Sequence, residues 1–533
     1  MTQDLPPIRR RTFLGGAAAT AAAILPSAAV RAQPGDPVAR TSNGPVRGVR
    51  SDGINRFLGI RYGADTGRAR FRPPVRPEPW QDAVSATEYG PASPQRSSQP
   101  ETAEDCLFLN VWTPGLADGG NRPVMVYFHG GAYSNGSGSH PLYDGTRLCQ
   151  RGDVVVVTVN HRLNAFGYLY LRRLAGEAFA ASGNCGQLDL VLALEWVREN
   201  ARQFGGDPDR VMVFGQSGGG GKIASLMATP AAEGLFHSAA TMSGQQVTAS
   251  GPANATERAR AFLAALGLDD DSAHRAADLP AGALVDALET ADPVLPYGSV
   301  YFGPVKDDLV MPRHPFYPTA APQSLHIPMI IGNTHDETRA FLRGPQYENI
   351  GWDDLPALLI PNMRVDIRPE TVVARYRELY PQRSPEEIFY AATTAARSWR
   401  AAIIEAEERA KAGAPAFVYQ LDWGNPHAPH TFDIPLAFDN TAVPDSLTGN
   451  SQTARNMAAL LSEALIALAR TGDPNHAALP QWQPYTMEHR ETLVLDWPPR
   501  MENDPRGAER ELFASVPYVQ PATVFMGRMA FGL

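Results

Sequence analysis

Short apolar runs separated by helical patterns organise the middle of the chain. Val and aromatic residues dominate these runs, which is typical of buried parallel strands. We expect strands at Val124–Phe128, Val154–Val159, Val211–Phe214, Pro328–Gly332 and Phe417–Leu421. Between the second and third strands, Leu188–Asn200 repeats apolar residues at the spacing of one helix face. This order of strand, helix and strand predicts a doubly wound α/β sheet.

Three later stretches, rich in Ala, Glu and Arg, also predict helices. They are Glu257–Leu266, Arg397–Ala412 and Asn456–Arg470. The wider region from 250 to 320 indicates helices joined by loops, placed between two predicted strands. We expect this region to form a cap over the carboxyl edge of the sheet, where sites in open α/β sheets lie.

Composition and charge argue against several classes of protein. With 533 residues, 44% of them hydrophobic, the chain can bury a large core. Its formal net charge of -9 is dispersed, which argues against a nucleic-acid partner, because phosphate binding needs a basic surface. Its three cysteines, Cys106, Cys149 and Cys185, are an odd and sparse set that fits neither a disulfide-stapled scaffold nor a metal site.

The first 32 residues differ from the rest of the chain. Arg9–Arg11 precede Phe13–Leu14 and an Ala-rich apolar run that extends to Val30. This pattern resembles a twin-arginine export signal, with the last two arginines as the pair and a cut after Ala32. The run is a poor permanent membrane span, although an uncut anchor or a basic tail is the alternative. We therefore expect a signal peptide at 1–32 and a periplasmic or secreted location.

The most specific motif is Gly215-Gln216-Ser217-Gly218-Gly219, directly after the third predicted strand and ahead of a helical pattern. A Gly-x-Ser-x-Gly at a strand-to-helix corner is typical of a nucleophile elbow, a sharp turn that exposes the serine hydroxyl. The glycines let neighbouring backbone pass close to that turn. Ser217 is therefore the candidate nucleophile, and the Gly218 amide is a candidate donor to an oxyanion.

The same stretch raises the alternative of a phosphate-binding loop ending at Lys222. That motif requires Gly where Gln216 stands, and Ser or Thr where Ile223 stands. The spacing therefore excludes a phosphate loop, and no role follows for Lys222.

A second glycine loop, His129-Gly130-Gly131-Ala132, follows the first predicted strand. An HGG-type loop in this place supplies further backbone N–H groups to an oxyanion hole. Small residues are needed there so that amides, rather than side chains, face the substrate oxygen. An ordinary glycine turn is the alternative, but the position after a strand and upstream of the elbow favours Gly131 and Ala132 as oxyanion donors.

A serine nucleophile needs a base, and the base needs an orienting acid. In this arrangement both follow the elbow, with the acid first. Asp336 and Glu337 follow the fourth predicted strand, while His427 and His430 follow the fifth. All four lie where loops leave the carboxyl ends of strands. The spacing alone therefore leaves two candidates for the acid and two for the base.

Ordered motifs over nearly the whole chain after residue 32 resemble the type-B carboxylesterase family. The family includes bacterial para-nitrobenzyl esterases, liver-type carboxylesterases and cholinesterases. One segment, Glu104–Val111, is close to the family signature EDCLxLNV. The other matching segments are Phe57–Tyr62, Arg70–Pro74, His129–Ala132, Asn160–Leu163, Gly183–Asp189 and Phe204–Pro208.

The resemblance implies a single α/β-hydrolase catalytic domain over residues 33–533, a gorge-like pocket and no cofactor. The family's acid is the Glu of a DEG-like motif, which selects Glu337. Its histidine precedes a D/E-[IL]-P-x-x-F pattern, which Asp433–Pro435 and Phe438 match, and this selects His430. The resemblance further implies hydrolysis of a small-molecule ester through an acyl-enzyme on Ser217.

The chain departs from the family pattern at several positions. Gln216 stands where the family usually has Glu, and Gly218–Gly221 stand where it commonly has Ala. Cys106 occupies a position that is often disulfide-bonded to an earlier cysteine, but Ser93 replaces that partner. We therefore expect Cys106 to be a buried free thiol.

Other functions fit parts of the sequence. The same triad also suits an amide or a carbamate, and the sequence does not separate these from an ester. A non-catalytic binding protein on this scaffold is a further alternative, but such relatives typically lack a triad residue. No Trp lies between Trp80 and Trp112, which argues against a cholinesterase, because that class stacks choline on such a ring. Four aromatic residues are candidates for either the gorge or plain core: Tyr133, Phe302, Phe341 and Tyr347.

Overall fold

The computed structural model describes residues 35–97, 101–295, 298–424, 427–444 and 446–520. The expected signal peptide therefore lies outside the described residues. The strands are β1 (Val38–Thr41), β2 (Gly44–Arg47), β3 (Val49–Ser51), β4 (Ile54–Arg61), β5 (Val84–Ser85), β6 (Phe108–Thr113), β7 (Arg122–Phe128), β8 (Val155–Val159), β9 (Gly206–Gln216), β10 (Ser238–Met242), β11 (Met329–Thr334), β12 (Ala416–Leu421), β13 (Glu491–Leu495) and β14 (Arg500–Asn503).

Helices occupy every connection from β7 to β13. They are α1 (Thr146–Gly152), α2 (Asn164–Tyr168), α3 (Arg172–Ala175), α4 (Cys185–Asn200), α5 (Gly218–Leu226), α6 (Pro252–Ala265), α7 (Ala281–Ala287), α8 (Leu355–Leu359), α9 (Pro369–Leu379), α10 (Pro385–Thr394), α11 (Arg400–Lys411), α12 (Ile434–Ala437), α13 (Gln452–Thr471) and α14 (Gly507–Ala514). None of the helices in the described part of the chain combines the length and the apolar character that a bilayer crossing requires.

One large sheet dominates the fold. Its eleven strands run in the order β14-β13-β12-β11-β10-β9-β7-β8-β6-β4-β3, and a small second sheet joins β1, β2 and β5. From β8 through β13, every neighbouring pair is parallel. The outer pairs are antiparallel. All five predicted strands are therefore confirmed as β7, β8, β9, β11 and β12, and all five lie in the parallel part.

Both faces of the parallel part are buried, which explains the continuous apolar runs. In β9, Val211 and Val213 face one side and pack with residues of α4, α5 and α11. Met212 and Phe214 face the other side and pack with residues of α13. This alternation places the chain's largest apolar clusters on the two faces of one sheet, with helices as the outer layers.

Local signals define where the long helix α13 begins and ends. The Ser451 side chain accepts a hydrogen bond from the Ala454 amide at the first turn, which satisfies a donor that the helix itself leaves unpaired. At the other end Gly472 has a φ of 78° and its amide donates to the Leu468 carbonyl, a left-handed cap that glycine adopts without strain. The predicted helix Asn456–Arg470 therefore lies within α13.

Two helical insertions cover the carboxyl edge of the sheet. The first cap, residues 250–320, contains α6 and α7, and its apolar residues share one cluster with residues of α2 and of nearby loops. The second cap, residues 337–399, contains α8, α9 and α10, which pack with α14. The prediction of a helical and loop-rich region at 250–320 is confirmed, but the second cap was not predicted.

Candidate active site

The sequence-predicted site residues meet at the carboxyl edge of the sheet. Gly131 and Ala132 follow β7, and Ser217 follows β9. Glu337 follows β11, and His430 lies in the loop after β12. Because these strands are parallel and lie close together in the sheet, the segments that leave them meet at one edge.

Ser217 occupies a sharp turn between β9 and α5. Its φ of 55° and ψ of −125° lie outside the ordinary regions for a side chain with a Cβ, and its amide donates to the Met242 carbonyl at 2.8 Å. A Cβ on Gly219 would lie 1.9 Å from the Phe128 carbonyl oxygen. Glycine at 219 thus allows the turn to press against the end of β7, as an elbow requires.

The candidate oxyanion donors lie in two loops that touch each other. Ala132 and Gly218 line the same cavity as Ser217, and Gly131 precedes Ala132 in the first loop. A Cβ on Gly218 would lie 2.0 Å from the Ala132 carbonyl oxygen. Within the described residues, the amides of these three positions donate no hydrogen bond. They are therefore free to bind a developing oxyanion.

A hydrogen bond joins Glu337 to His430. The fully buried Glu337 carboxylate accepts a very short hydrogen bond from His430 Nδ1 through Oε2. Its other oxygen accepts from the Thr334 amide at 3.1 Å and from Asn333 Nδ2 at 3.3 Å. With the Nδ1 proton engaged, His430 Nε2 is the ring nitrogen left to accept a proton.

The two partners shift each other's pKa in opposite directions. Burial alone would raise the pKa of Glu337, but the charge and hydrogen bond of His430 outweigh it, and the pKa lies below its usual value. Burial would lower the pKa of His430, but the charge and hydrogen bond of Glu337 prevail and raise it. The pair therefore favours a carboxylate beside a histidine that readily takes up a proton.

Gln216 is a site residue that the sequence marked only as a departure from the family. Its Nε2 lies 3.2 Å from His430 Nε2 and 3.5 Å from His430 Nδ1. The Ser217 hydroxyl and the His430 ring line the same cavity, with no hydrogen bond between them in this structure. Active-site hydrogen bonds of this kind often tighten only when substrate is present.

The rival acid and base form a separate cluster. Asp336 accepts a hydrogen bond from His335 Nδ1 at 2.8 Å and pairs with Arg339. The His427 ring stacks on the His335 ring at a centroid distance of 4.0 Å. The structure thus pairs Glu337 with His430, and it holds Asp336 and His427 around His335.

Lys222, for which the sequence suggested no role, is buried next to the loop His129–Ala132, called the oxyanion loop below. Its Nζ donates to the His129 carbonyl at 2.9 Å and lies 5.7 Å from the centre of the Tyr133 ring. Burial lowers the pKa of Lys222 to about 7. Lys222 therefore ties the elbow helix α5 to the loop that carries Gly131 and Ala132.

The cavity beside Ser217 has a volume of about 240 Å³. Of the four candidate gorge aromatics, Tyr133 and Phe341 line it. Phe302 packs edge-on against Phe262 in the first cap, with a centroid distance of 5.2 Å. Tyr347 stacks on Phe389 in the second cap at 5.2 Å. Two of the four thus belong to this cavity, and the other two pack within the caps.

All three cysteines are free and buried, as expected for Cys106. The Cys106 thiol is hydrogen-bonded to Ser93, the residue in its missing partner's place, and burial raises its pKa. In the described ranges, no group of three or more His, Cys, Asp or Glu side chains is arranged to hold a metal ion.

Several further lining residues had no signal in the sequence. Arg364, Arg397 and Tyr518 line the cavity from the second cap and from the segment after α14. Ser243, which is hydrogen-bonded to Glu337, follows β10. Recognition of β10 as a strand would have placed Ser243 at the same sheet edge as the other site residues.

The chain is similar to known proteins over most of its length. Residues 35–513 match the model of the carboxylesterase family. The chain is 35% identical over 498 residues to the para-nitrobenzyl esterase of Bacillus subtilis (strain 168), covering 90% of this chain and 99% of that one. It is 31% identical over 506 residues to phenmedipham hydrolase of Pseudarthrobacter oxydans, covering 86% and 95%. A crystal structure of a Geobacillus stearothermophilus carboxylesterase superposes with a TM-score of 0.81 at 36% identity, covering 89% and 99%.

Proposed function

The chain belongs to the carboxylesterase family and is a carboxylic ester hydrolase of the α/β-hydrolase fold, and from this premise we propose that it cleaves small-molecule esters by acyl transfer through Ser217, His430 and Glu337. The observation that carries the proposal is the part-buried hydrogen bond between Glu337 and His430, whose ring lines the same cavity as Ser217. A nucleophile, a base and an orienting acid in this order are the parts that serine hydrolysis requires.

In the first half of the proposed reaction, His430 Nε2 takes the hydroxyl proton of Ser217 while the serine oxygen attacks the ester carbonyl carbon. The negative charge that develops on the carbonyl oxygen is held by the amides of Gly131, Ala132 and Gly218. Loss of one such donor costs about 2.7–4 kcal/mol of transition-state stabilisation in a comparable hydrolase. His430 then gives the proton to the leaving alkoxide, which departs as an alcohol.

In the second half, water attacks the acyl-enzyme with His430 again acting as base. The carbonyl–serine bond breaks, the proton returns to Ser217, and the carboxylic acid leaves. Glu337 keeps the Nδ1 proton of His430 in place and stabilises the imidazolium in both halves. No cofactor enters this scheme.

The test is turnover of a panel of p-nitrophenyl esters of increasing acyl length by the chain from Gln33 onward. We expect hydrolysis that Ser217→Ala lowers by about four orders of magnitude or more. Ser85→Ala, an exposed serine on the small sheet, is the matched control and keeps the wild-type rate. Turnover confined to amides or carbamates, or ester turnover that survives Ser217→Ala, would contradict the proposal.

We also propose that residues 1–32 direct twin-arginine export, on the strength of Arg10 and Arg11 ahead of the apolar run. Cell fractionation should place the wild-type chain in the periplasm or medium without its first 32 residues. The double variant Arg10→Lys, Arg11→Lys should remain in the cytoplasm at full length. An identical distribution of the two chains would contradict export by this route.

A further inference from the structure

The cavity beside Ser217 contains two arginines that the proposed reaction does not use. Arg364 and Arg397 both line it. Among the described residues, neither guanidinium group forms an ion pair or hydrogen bond with a carboxylate. The titratable groups that act on Arg397 are Arg364, Tyr518 and Glu337. Burial raises the pKa of Tyr518 to about 12, so its phenol is neutral, and Glu337 is already engaged by His430. Two like charges thus share one cavity without a carboxylate between them.

A further carboxyl group, that of Glu405, contacts a residue of the cavity wall. Glu405 accepts a hydrogen bond from the amide of Gln246, a lining residue, at 2.8 Å. Burial raises the pKa of Glu405 to about 8, so the carboxyl group is mainly protonated below that pH. Burial lowers the pKa of Arg397 to about 9, so Arg397 remains a cation at neutral pH. The described residues that line the cavity thus include two arginines and no carboxylate, although the whole chain is acidic.

Backbone contacts hold the two arginines together. The Arg364 amide donates to the Ala396 carbonyl at 3.2 Å, and the Arg364 carbonyl accepts from the Val519 amide at 2.7 Å. Ala396 and Arg397 belong to a π-helical turn, Ala395–Trp399, between α10 and α11. Single π turns within α-helices occur often at functional sites. The arginines are thus built into the cavity wall from two segments that are tied to each other.

Contacts also connect Arg397 with the catalytic base. Its guanidinium lies over the Phe341 ring, 4.7 Å from the ring centre. Phe341 in turn packs edge-on against the His430 ring at 5.6 Å, and the charge of Arg397 acts to lower the pKa of His430. An anionic group bound by Arg397 would consequently lie close to the ester that Ser217 attacks.

We propose that Arg364 and Arg397 form an anion subsite that binds a carboxylate of the substrate, so that the preferred substrates are esters with a second, ionised carboxyl group. The inference rests on the proposed esterase function and specifies its substrate class. Guanidinium groups bind carboxylates through paired N–H donors. Arg364 and Arg397 are half-buried, and a partly desolvated cation without an anion carries a cost that a bound carboxylate lowers.

The test compares esters that differ only in charge, and it places the charge on either side of the scissile bond. The first pair is mono-p-nitrophenyl glutarate and its neutral carboxamide analogue, which differ on the acyl side. The second pair is 3-acetoxybenzoate and 3-acetoxybenzamide, which differ on the leaving-group side. The measured quantity is the ratio of kcat/KM for the carboxylate to kcat/KM for the carboxamide. We expect this ratio to be about ten or more for at least one pair, and that pair assigns the side.

Variants then assign the preference to the arginines. Arg397→Gln and Arg364→Gln should each lower the ratio about tenfold, whereas Arg397→Lys should keep part of it because the charge remains. Arg377→Gln, an exposed arginine that stacks on Trp352, should keep the wild-type ratio. The ratio is independent of the fraction of active enzyme, since both esters of a pair are measured on the same preparation.

A wild-type ratio of one or less for both pairs would overturn the subsite, as would a ratio that both glutamine variants leave unchanged. In either case Ser217-dependent turnover of the neutral esters would leave the proposed function standing. Absence of turnover on all four esters would overturn the subsite, and absence of turnover on the p-nitrophenyl panel as well would overturn the proposed function.

Discussion

Gln216 stands beside the proposed base and occupies the place where the family usually has Glu. Its side-chain amide, 3.2 Å from His430 Nε2, carries no charge. A carboxylate there would stabilise the imidazolium and raise the pKa of His430 further above its usual value. Because the base must be neutral to take the serine proton, Gln216→Glu should move the acid limb of the kcat/KM profile to higher pH.

The measurement for Gln216→Glu is the pH dependence of p-nitrophenyl ester hydrolysis from about pH 5 to about pH 9. Gln452→Glu, an exposed residue at the first turn of α13, is the matched control and should leave the limb in place. An acid limb at the same pH in Gln216→Glu would show that this side chain does not act on His430.

Lys222 predicts a pH-dependent contribution to stability. Its pKa is about 7 in the folded chain and 10.5 as the ordinary value, so between these values the unfolded chain binds more protons. The free energy of unfolding therefore increases with pH through that window. The buried charge of Lys222 destabilises the folded chain most at pH values below the window. The variant Lys222→Met has no titrating group at this position. The free energy of unfolding of the wild type minus that of the variant should therefore increase by up to about 1.4 kcal/mol per pH unit in that window.

Urea unfolding at about pH 7.5 and about pH 9.5 measures that difference for Lys222→Met. The control Lys411→Met removes a surface lysine whose partner is Glu408, and its difference from wild type should not change with pH. A pH-independent difference for Lys222→Met would mean that the lysine is as readily protonated in the folded chain as in the unfolded one.

Among individual residues, the sequence predicts those that stand in motifs. Ser217, Gly131, Ala132 and Gly218 follow from glycine patterns after strands. The choice of Glu337 over Asp336 does not follow from spacing, because adjacent residues differ only in the direction that their side chains take. The structure separates them through tertiary contacts: one carboxylate contacts His430 and the other contacts His335.

The contact between the elbow and the oxyanion loop is a property of two elements, and it depends on Gly218. Since a Cβ there would lie 2.0 Å from the Ala132 carbonyl oxygen, Gly218→Ala should push the loop away from α5. We expect kcat for short p-nitrophenyl esters to fall about tenfold or more, because the oxyanion donors no longer converge. Family members commonly have alanine at this position. We therefore expect the loss only where the neighbouring loop lies as close to position 218 as it does in this chain.

Gly282→Ala is the matched control for Gly218→Ala. Gly282 lies in α7, where a Cβ meets nothing within 4 Å, so kcat should not change and helix propensity should add up to about 1 kcal/mol of stability. A Gly218→Ala variant with the kcat of wild type would show that the loop can move without loss of the oxyanion hole.

At the level of elements, the parallel strands were predictable and several others were not. Strands buried on both faces must be apolar throughout, so the pattern identifies them directly. β10, with the sequence Ser-Ala-Ala-Thr-Met, is buried by its neighbours rather than by large side chains of its own. The π turn at Ala395–Trp399 lies within a stretch that has an ordinary helical pattern. The local sequence carries no signal for its extra residue.

For the whole molecule, the burial of every thiol predicts inert cysteines. Cys106, Cys149 and Cys185 are free and buried, and burial raises the pKa of each. The folded chain from Gln33 onward should therefore react with an aromatic disulfide reagent only slowly, and three thiols should react in denaturant. Rapid titration of a thiol in the folded chain would contradict its burial.

The overall arrangement of sheet and caps was predictable only in part. The first cap follows from its helical pattern between two strands. The second cap is built from short helices whose apolar residues pack mainly on each other and on α14, and it closes the cavity through Phe341, Arg364 and Arg397. Contacts between segments that lie far apart in the chain, such as Arg364 with Val519, leave no periodic signal.

The π turn has a consequence for how this cavity can change over evolution. A π turn holds one residue more than the α turn it replaces, and each residue advances an α-helix by about 100°. Loss of a single codon within Ala395–Trp399 would let α10 and α11 merge into one regular helix and rotate Arg397 out of the cavity wall. Substrate charge preference in such a lineage can then switch by one small deletion, while Ser217, Glu337 and His430 stay in place.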